Sequence, residues 1–172
     1  MAEVKRTYYE SGKLKSEVFI LNDKMNGEYK EYWMNGQLRT SSSYTNGKMN
    51  GEYKLYYHSN GQLQYMCSYI DDKKNGECKS YYHLNGQLHY MCSYIDDKKN
   101  GTYKSYHENG QIYIICSCID DKKNGECKQY YNNGQLYQIC SYMNDKMHGE
   151  YKQYRRNGEL VESCIYENDI KN

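Results

Sequence analysis

Polar and apolar side chains alternate in short runs along this 172-residue chain, and the same runs recur every few tens of residues. Alternation of period two predicts strands whose successive side chains point to opposite faces. One predicted face gathers Leu63, Tyr65, Cys67 and Tyr69 from one strand, and Tyr53, Leu55 and Tyr57 from its partner. Later copies repeat it as Leu88, Tyr90, Cys92 and Tyr94, and as Leu136, Cys140 and Tyr142. The opposite face carries Lys30, Lys54, Lys79, Lys104, Lys128 and Lys152, with Tyr32, Tyr56, Tyr81, Tyr106, Tyr130 and Tyr154 beside them.

Glycine punctuates these runs on a grid. Gly12, Gly36, Gly61, Gly86, Gly110, Gly134 and Gly158 are spaced 24, 25, 25, 24, 24 and 24, and a second series falls 15 residues after each of the first six. Thirteen of the 14 glycines obey the grid, Gly47 being the exception, and 12 of the 14 follow asparagine. Asn-Gly between alternating segments is the strongest short hairpin signal, because a type I′ turn needs φ > 0 at both central residues. The expectation is therefore that each Asn-Gly pair reverses the chain. A two-residue turn at Asn35-Gly36 sets Trp33 against Leu38. In the longer copy a three-residue loop, Ser59-Asn60-Gly61, sets Tyr57 against Leu63, so the extra residue changes no side chain's face. The second turn, holding DDKKNG or a relative, never varies in length and fits an even-numbered loop. The predicted fold is all-β. Tandem β-hairpin repeats form one elongated, twisted antiparallel meander of about 14 strands. The array is read as a single domain over 1–172, its seven repeats of 24–25 residues spanning about 7–166. Its edges are guarded by Lys5 and Arg6 at one end, and by Glu159, Glu162 and Glu167 at the other.

Composition sharpens this picture. Only 38% of the chain is apolar, yet it holds 24 tyrosines. Tyrosine packs with its ring while its hydroxyl stays wet, which suits a thin architecture. The formal net charge of +1 argues against nucleic-acid binding, which needs a basic surplus. No apolar run approaches the roughly 18 residues of a membrane helix. The start, MAEVKRTYYE, has no secretory-type hydrophobic stretch. The default expectation is an intracellular, cytoplasmic protein with reduced thiols.

Candidate chemistry is sparse. Cys67, Cys92, Cys116, Cys140 and Cys164 occupy one repeat position two strands apart, roughly 9.6 Å by strand spacing, too far to cross-link among themselves. They read as small apolar core residues. Cys116 and Cys118 share a face, with Cys127 on the following strand, which is weak spacing for a metal. Asp71-Asp72, Asp96-Asp97 and Asp120-Asp121 resemble the start of a calcium loop. However, Lys73, Lys98 and Lys122 stand at the third position, and Tyr82 at the twelfth of the first copy, so the aspartates read as strand ends and the lysines as solvated turn residues. His58, His83, His89, His107 and His148 have no nucleophile or base partner in the pattern. Nearly every candidate is duplicated a repeat away, whereas an active site is unique. No catalytic residue, metal ligand or cofactor site is expected. The Lys–Tyr face is the candidate partner-binding face, since aromatic anchors framed by charge suit protein contacts.

The unit NGQL…CSYIDDKKNGEYK with its tyrosines resembles a MORN repeat of the second variant, similar to the YwqK-like antitoxin family. The resemblance runs from about Thr7 to Tyr166. The departures are Cys78 and Cys127, where tyrosine is expected after Gly-Glu. The Asn, Lys, Ile and Tyr bias is similar to that of giant-virus MORN-repeat proteins. The resemblance implies a non-catalytic protein-interaction or scaffolding module, viral in source and working in the host cytoplasm or virion. The alternative is an antitoxin-like module that neutralises a partner protein. A protein partner is implied, membrane headgroup contact is compatible with it, and exposed edge strands leave room for self-association.

Overall fold

The computed structural model describes all residues, 1–172, and contains strands and turns only. Fifteen strands follow one another in sequence order, as a chain of hairpins requires. They fall in two compact units, Met1–Gly86 and Gln87–Asn172, each described by itself.

The first unit contains β1 (Ala2–Tyr8), β2 (Leu14–Leu21), β3 (Lys24–Tyr32), β4 (Leu38–Thr45), β5 (Lys48–Tyr56), β6 (Leu63–Ile70) and β7 (Lys73–Tyr81). Each pairs antiparallel with its neighbour in sequence. The expected register holds through the body of the hairpins: Glu31 faces Thr40, and Tyr53 faces Cys67. At the turn it shifts by one, so that Tyr32, and not Trp33, faces Leu38. The reason is the turn type. Gly36 N–H donates to Trp33 C=O (2.8 Å) and Trp33 N–H donates to Gln37 C=O (2.8 Å), which closes a three-residue loop on a glycine bulge. Gly36 alone of this turn has positive φ, 87°. The asparagine contributes its side chain instead: Asn35 Oδ1 accepts from Gln37 N–H at 3.0 Å. In the longer copy Gly61 N–H donates to Tyr57 C=O and Tyr57 N–H to Gln62 C=O, one residue more, absorbed within the loop as expected.

The type I′ turn sits at the other end of the strands. Asn22-Asp23, Asn46-Gly47 and Asp71-Asp72 all have positive φ at both residues, and Leu21 pairs directly with Lys24. This corrects two expectations. The aspartates are the turn itself, and the lysines after them open the next strand. The Asn-Gly pairs of the second series reverse nothing. Gly27, Gly51 and Gly76 lie inside β3, β5 and β7 at φ 89°, 110° and 103°. There the register jumps, so that Asn50, Gly51 and Glu52 stand opposite Ser43 alone. This is a bulge that only glycine's conformational freedom permits.

Turn and bulge are clasped together across a repeat. Asp72 N–H donates to Met49 C=O (3.0 Å), and Met49 N–H donates to Asp72 Oδ1 (2.7 Å). Asp71 N–H donates to Asn50 Oδ1, and Asn50 Nδ2 returns a bond to Asp71 Oδ1, both 3.1 Å. The off-grid Gly47 takes Asp72's place in its turn, keeping only the backbone bond, from its N–H to Met25 C=O (2.8 Å).

The second unit contains β8 (Leu88–Ile95), β9 (Lys98–Tyr106), β10 (Ile112–Ile119), β11 (Lys122–Tyr130), β12 (Leu136–Met143), β13 (Lys146–Tyr154), β14 (Leu160–Glu167) and β15 (Ile170–Lys171). It repeats the same devices, with Asp121 on Lys99, Asp145 on Lys123 and Asp169 on Met147. The short β15 lies beyond the strand expected to be last, and its Lys171 bonds to Glu162.

The most deeply buried side chains are cysteines: Cys67, Cys92 and Cys140, as the apolar reading of that column requires, and Cys78 on the intervening strand β7. The intervening strands fill the column's gaps where they too carry cysteine. Cys67 faces Cys78 at a Cα–Cα distance of 4.1 Å and Cys116 faces Cys127 at 4.3 Å; both pairs are disulfides. Directly opposed non-hydrogen-bonded positions approach this closely, so the two departures from the repeat, Cys78 and Cys127, each meet a cysteine.

Candidate functional site: the lysine–tyrosine face

The odd-numbered strands from β3 to β13 carry the pattern Glu-x-Lys-x-Tyr, with Thr102 replacing glutamate in β9. Strand alternation puts all three side chains on one face. In the first unit this gathers Lys30, Lys54 and Lys79 with Tyr32, Tyr56 and Tyr81. In the second it gathers Lys104, Lys128 and Lys152 with Tyr106, Tyr130 and Tyr154. The structure thus brings every residue of the expected face into place, three repeats per unit.

Each glutamate reaches the lysine two residues on. Lys30–Glu28 and Lys54–Glu52 are both 2.8 Å, Lys128–Glu126 is 2.5 Å and Lys152–Glu150 is 2.9 Å, with Lys79–Glu77 paired likewise. The carboxylate hydrogen bond holds the ammonium groups of Lys30, Lys54, Lys128 and Lys152 above the ordinary lysine range. These lysines are charged but locally neutralised, and such exposed pairs contribute little to stability. Lys104 has Thr102 where the others have glutamate, so its charge is the uncompensated one.

The tyrosines lean on the neighbouring strand. Tyr32 donates its hydroxyl to Glu17 Oε1 at 2.9 Å, and that bond, with Arg6 beside it, lowers the Glu17 carboxyl below its ordinary range. Tyr81 and Tyr106 place their hydroxyls 3.6 and 3.5 Å from the sulfurs of Met66 and Met91.

Between the lysine strands the two units differ. In the first, Lys30 is flanked by Glu17 and Ser41, and Lys54 by Ser41 and Met66. In the second, Lys104 lies between Met91 and Ile115, and Lys128 between Ile115 and Ile139. The second unit therefore carries half-buried apolar side chains between its lysines, a detail the even strands' sequences hold but the lysine stripe alone does not reveal.

His58 and His83 are packing residues of the turns, whereas His89 lies within β8 and His148 within β13. His58 meets Trp33 edge-on with ring centroids 5.0 Å apart, and His83 meets Tyr57 at 4.7 Å. The aspartates of the rejected calcium loops use Oδ1 to accept backbone N–H groups, at Asp72 and Asp121 for example.

The MORN repeat variant family matches seven stretches: residues 4–22, 25–46, 49–71, 74–96, 99–117, 123–144 and 147–168. The chain belongs to this family. MORN repeats are commonly protein- or membrane-interaction modules. Among curated proteins nothing matches. Among solved structures, TarM is similar at 13% identity with a TM-score of 0.36, over 60% of this chain and 20% of that one. A mutant TarM of S. aureus, in complex with Fondaparinux, alpha-GlcNAc-glycerol and UDP, is similar at 14% identity with a TM-score of 0.30, over 71% of this chain and 19% of that one. A protein of unknown function from Bacteroides fragilis is similar at 11% identity with a TM-score of 0.16, over 98% of this chain and 95% of that one. The chain thus spans about a fifth of the length of the TarM chains.

Proposed function

We propose that the protein is a non-catalytic interaction module that binds a protein partner through its lysine–tyrosine face, centred on the second unit. The observation that supports this is the surrounding of Lys104. It is a lysine without its glutamate, set between Met91 and Ile115 and next to Tyr106. A charge framed by apolar and aromatic side chains is the composition that concentrates binding energy at interfaces. An acidic side chain on the partner would pair with Lys104 without displacing an internal carboxylate.

Affinity purification from the native cells tests this with two variants. Lys104→Glu should lose the partner, and Arg156→Glu, altered at a turn, should keep it. A partner retained equally by both overturns the assignment of the face. A captured partner that is toxic when expressed alone would make the module antitoxin-like. Recovery of anionic vesicles in place of a protein would give the face to membrane headgroups.

A further inference from the structure

Five of the seven repeats carry a tyrosine just before the residue that leads into the type I′ turn, Tyr44, Tyr69, Tyr94, Tyr142 and Tyr166, and the first carries another large side chain there, Ile20. The register sets these rings beside the bulge, with Tyr44 opposite Gly27, Tyr69 opposite Gly51, Tyr142 opposite Gly125 and Tyr166 opposite Gly149. Where the preceding strand supplies a tyrosine too, the two rings pack. Tyr29–Tyr44 are 6.2 Å apart, Tyr53–Tyr69 6.0 Å and Tyr151–Tyr166 5.6 Å between centroids.

In β10 the residue at this position is Cys118, opposite Gly101. Its would-be ring partner is present: Tyr103 faces Cys116, as Tyr53 faces Cys67. A ring is therefore missing from a site otherwise built to hold one. In its place the structure has a cavity of about 290 Å³, lined by Tyr103, Ile114, Cys116, Cys118, Lys99 and Lys123.

We propose that this cavity is a binding site for a phenol ring, which takes the position a tyrosine holds in the sister repeats. The volume lies at the lower end of ligand sites and suits one ring. Cavities left by an absent side chain take up ring-sized ligands. Tyr103 offers the face or edge that its counterparts offer to Tyr44, Tyr69 and Tyr166. The two lysines supply cations: Lys99 Nζ lies 5.6 Å from the centre of the Tyr103 ring, and Lys123 Nζ lies 4.9 Å from that of Tyr142. Asp121 and Asp145 also line the cavity. Each spends Oδ1 on a backbone N–H, of Lys99 at 2.9 Å and of Lys123 at 2.7 Å. The second oxygen of either carboxylate can accept a phenol O–H. The site uses the cysteine–tyrosine face and is independent of the lysine–tyrosine face.

The test is an amide-shift titration of the full chain with p-cresol and with N-acetyl-tyrosinamide. Saturable shifts confined to Gly101, Tyr103, Cys118 and Lys123 are expected. Binding of p-cresol alone identifies a free small phenol as the ligand. Binding of both identifies a tyrosine side chain carried by a polypeptide. Cys118→Tyr, which restores the repeat, should weaken binding tenfold or more, and Cys118→Ala should leave it within twofold. Absence of saturable binding by either ring overturns the proposal, as does unchanged binding by a folded Cys118→Tyr chain. Should that variant fail to fold, the wild-type titration decides, since shifts spread evenly over all repeats overturn the site equally.

Discussion

The two ends of the strands solve the same problem, reversing the chain, by different chemistry. At one end a glycine bulge closes a three- or four-residue loop, and asparagine serves as a side-chain acceptor, as Asn60 does for Gln62 N–H at 3.0 Å. At the other end two consecutive residues take positive φ, and they are mostly aspartates. Aspartate tolerates that conformation less well than glycine, but glycine has no side chain to clasp the neighbouring repeat. The loop end can vary in length because it is held mainly by its own hydrogen bonds. The clasped end cannot, because its side chains must meet partners a repeat away, as Asp72 meets Met49. In a repeat protein, a strained turn persists when its side chains also join one copy to the next.

The largest effect expected from breaking this arrangement is at the bulge rather than at either turn. Gly51 has φ 110°, and an added Cβ would lie 3.2 Å from the Cβ of Ser43. Gly51→Val should cost about 3 kcal/mol, combining backbone strain with a contact against an adjacent strand. Gly86 in a loop has φ 68°, and its nearest neighbour would be the flexible end of Gln62 at 3.2 Å. Gly86→Val should cost about 2 kcal/mol, from strain alone. Chemical denaturation of the two variants checks the order. Equal midpoints would show that the bulge is no more demanding than the loop.

The clasp is the next term. Asp72→Ala removes the acceptor of Met49 N–H and leaves a residue poorly suited to φ 71°. A loss of about 1–2 kcal/mol is expected. Asp72→Gly removes the same bond but relieves the backbone, so its cost should be smaller, below about 1 kcal/mol. If alanine and glycine variants melt together, the backbone strain is not being offset by the clasp.

Much of this was legible in the sequence, because period-two alternation survives bulges that come in compensating places. The pairing of Tyr53 with Cys67 follows from counting outward from Asn60-Gly61, and so do the faces. What was not legible is which Asn-Gly reverses the chain. The dipeptide states that a positive φ is wanted, and both a loop and a bulge want one. Gly47 held the discriminating signal: the glycine off the grid marks the position where the other copies use Asp72 or Asp121. The opposition of Cys67 to Cys78 was also within reach of the same counting, since Cys78 occupies the repeat position of Tyr53. The apolar residues between the lysines required reading two strands together rather than one stripe.

The smallest expected effect lies at the loop end, where an aromatic residue opens every turn but the last, which Arg155 opens, and in several copies ties its repeat to the next. Tyr9 donates its hydroxyl to Tyr32 C=O at 2.7 Å, Tyr57 to Tyr81 C=O at 2.7 Å and Tyr131 to Tyr154 C=O at 3.0 Å. His107 stands in the same place, with Nε2 3.0 Å from Tyr130 C=O, so an imidazole N–H can replace a phenol O–H there. Trp33 occupies the position without making the bond, and its Nε1 is buried with no partner. The tie is thus dispensable in one copy, which bounds its contribution. Tyr57→Phe should cost about 1 kcal/mol, the net worth of one part-buried hydrogen bond, and lower the melting temperature by about 2–4 °C. Tyr8→Phe, at a ring 58% exposed, serves as the control and should change nothing measurable. Equal melting of the two variants would mean that water replaces the Tyr57 bond without loss, leaving the aspartate clasp as the principal polar link between successive copies.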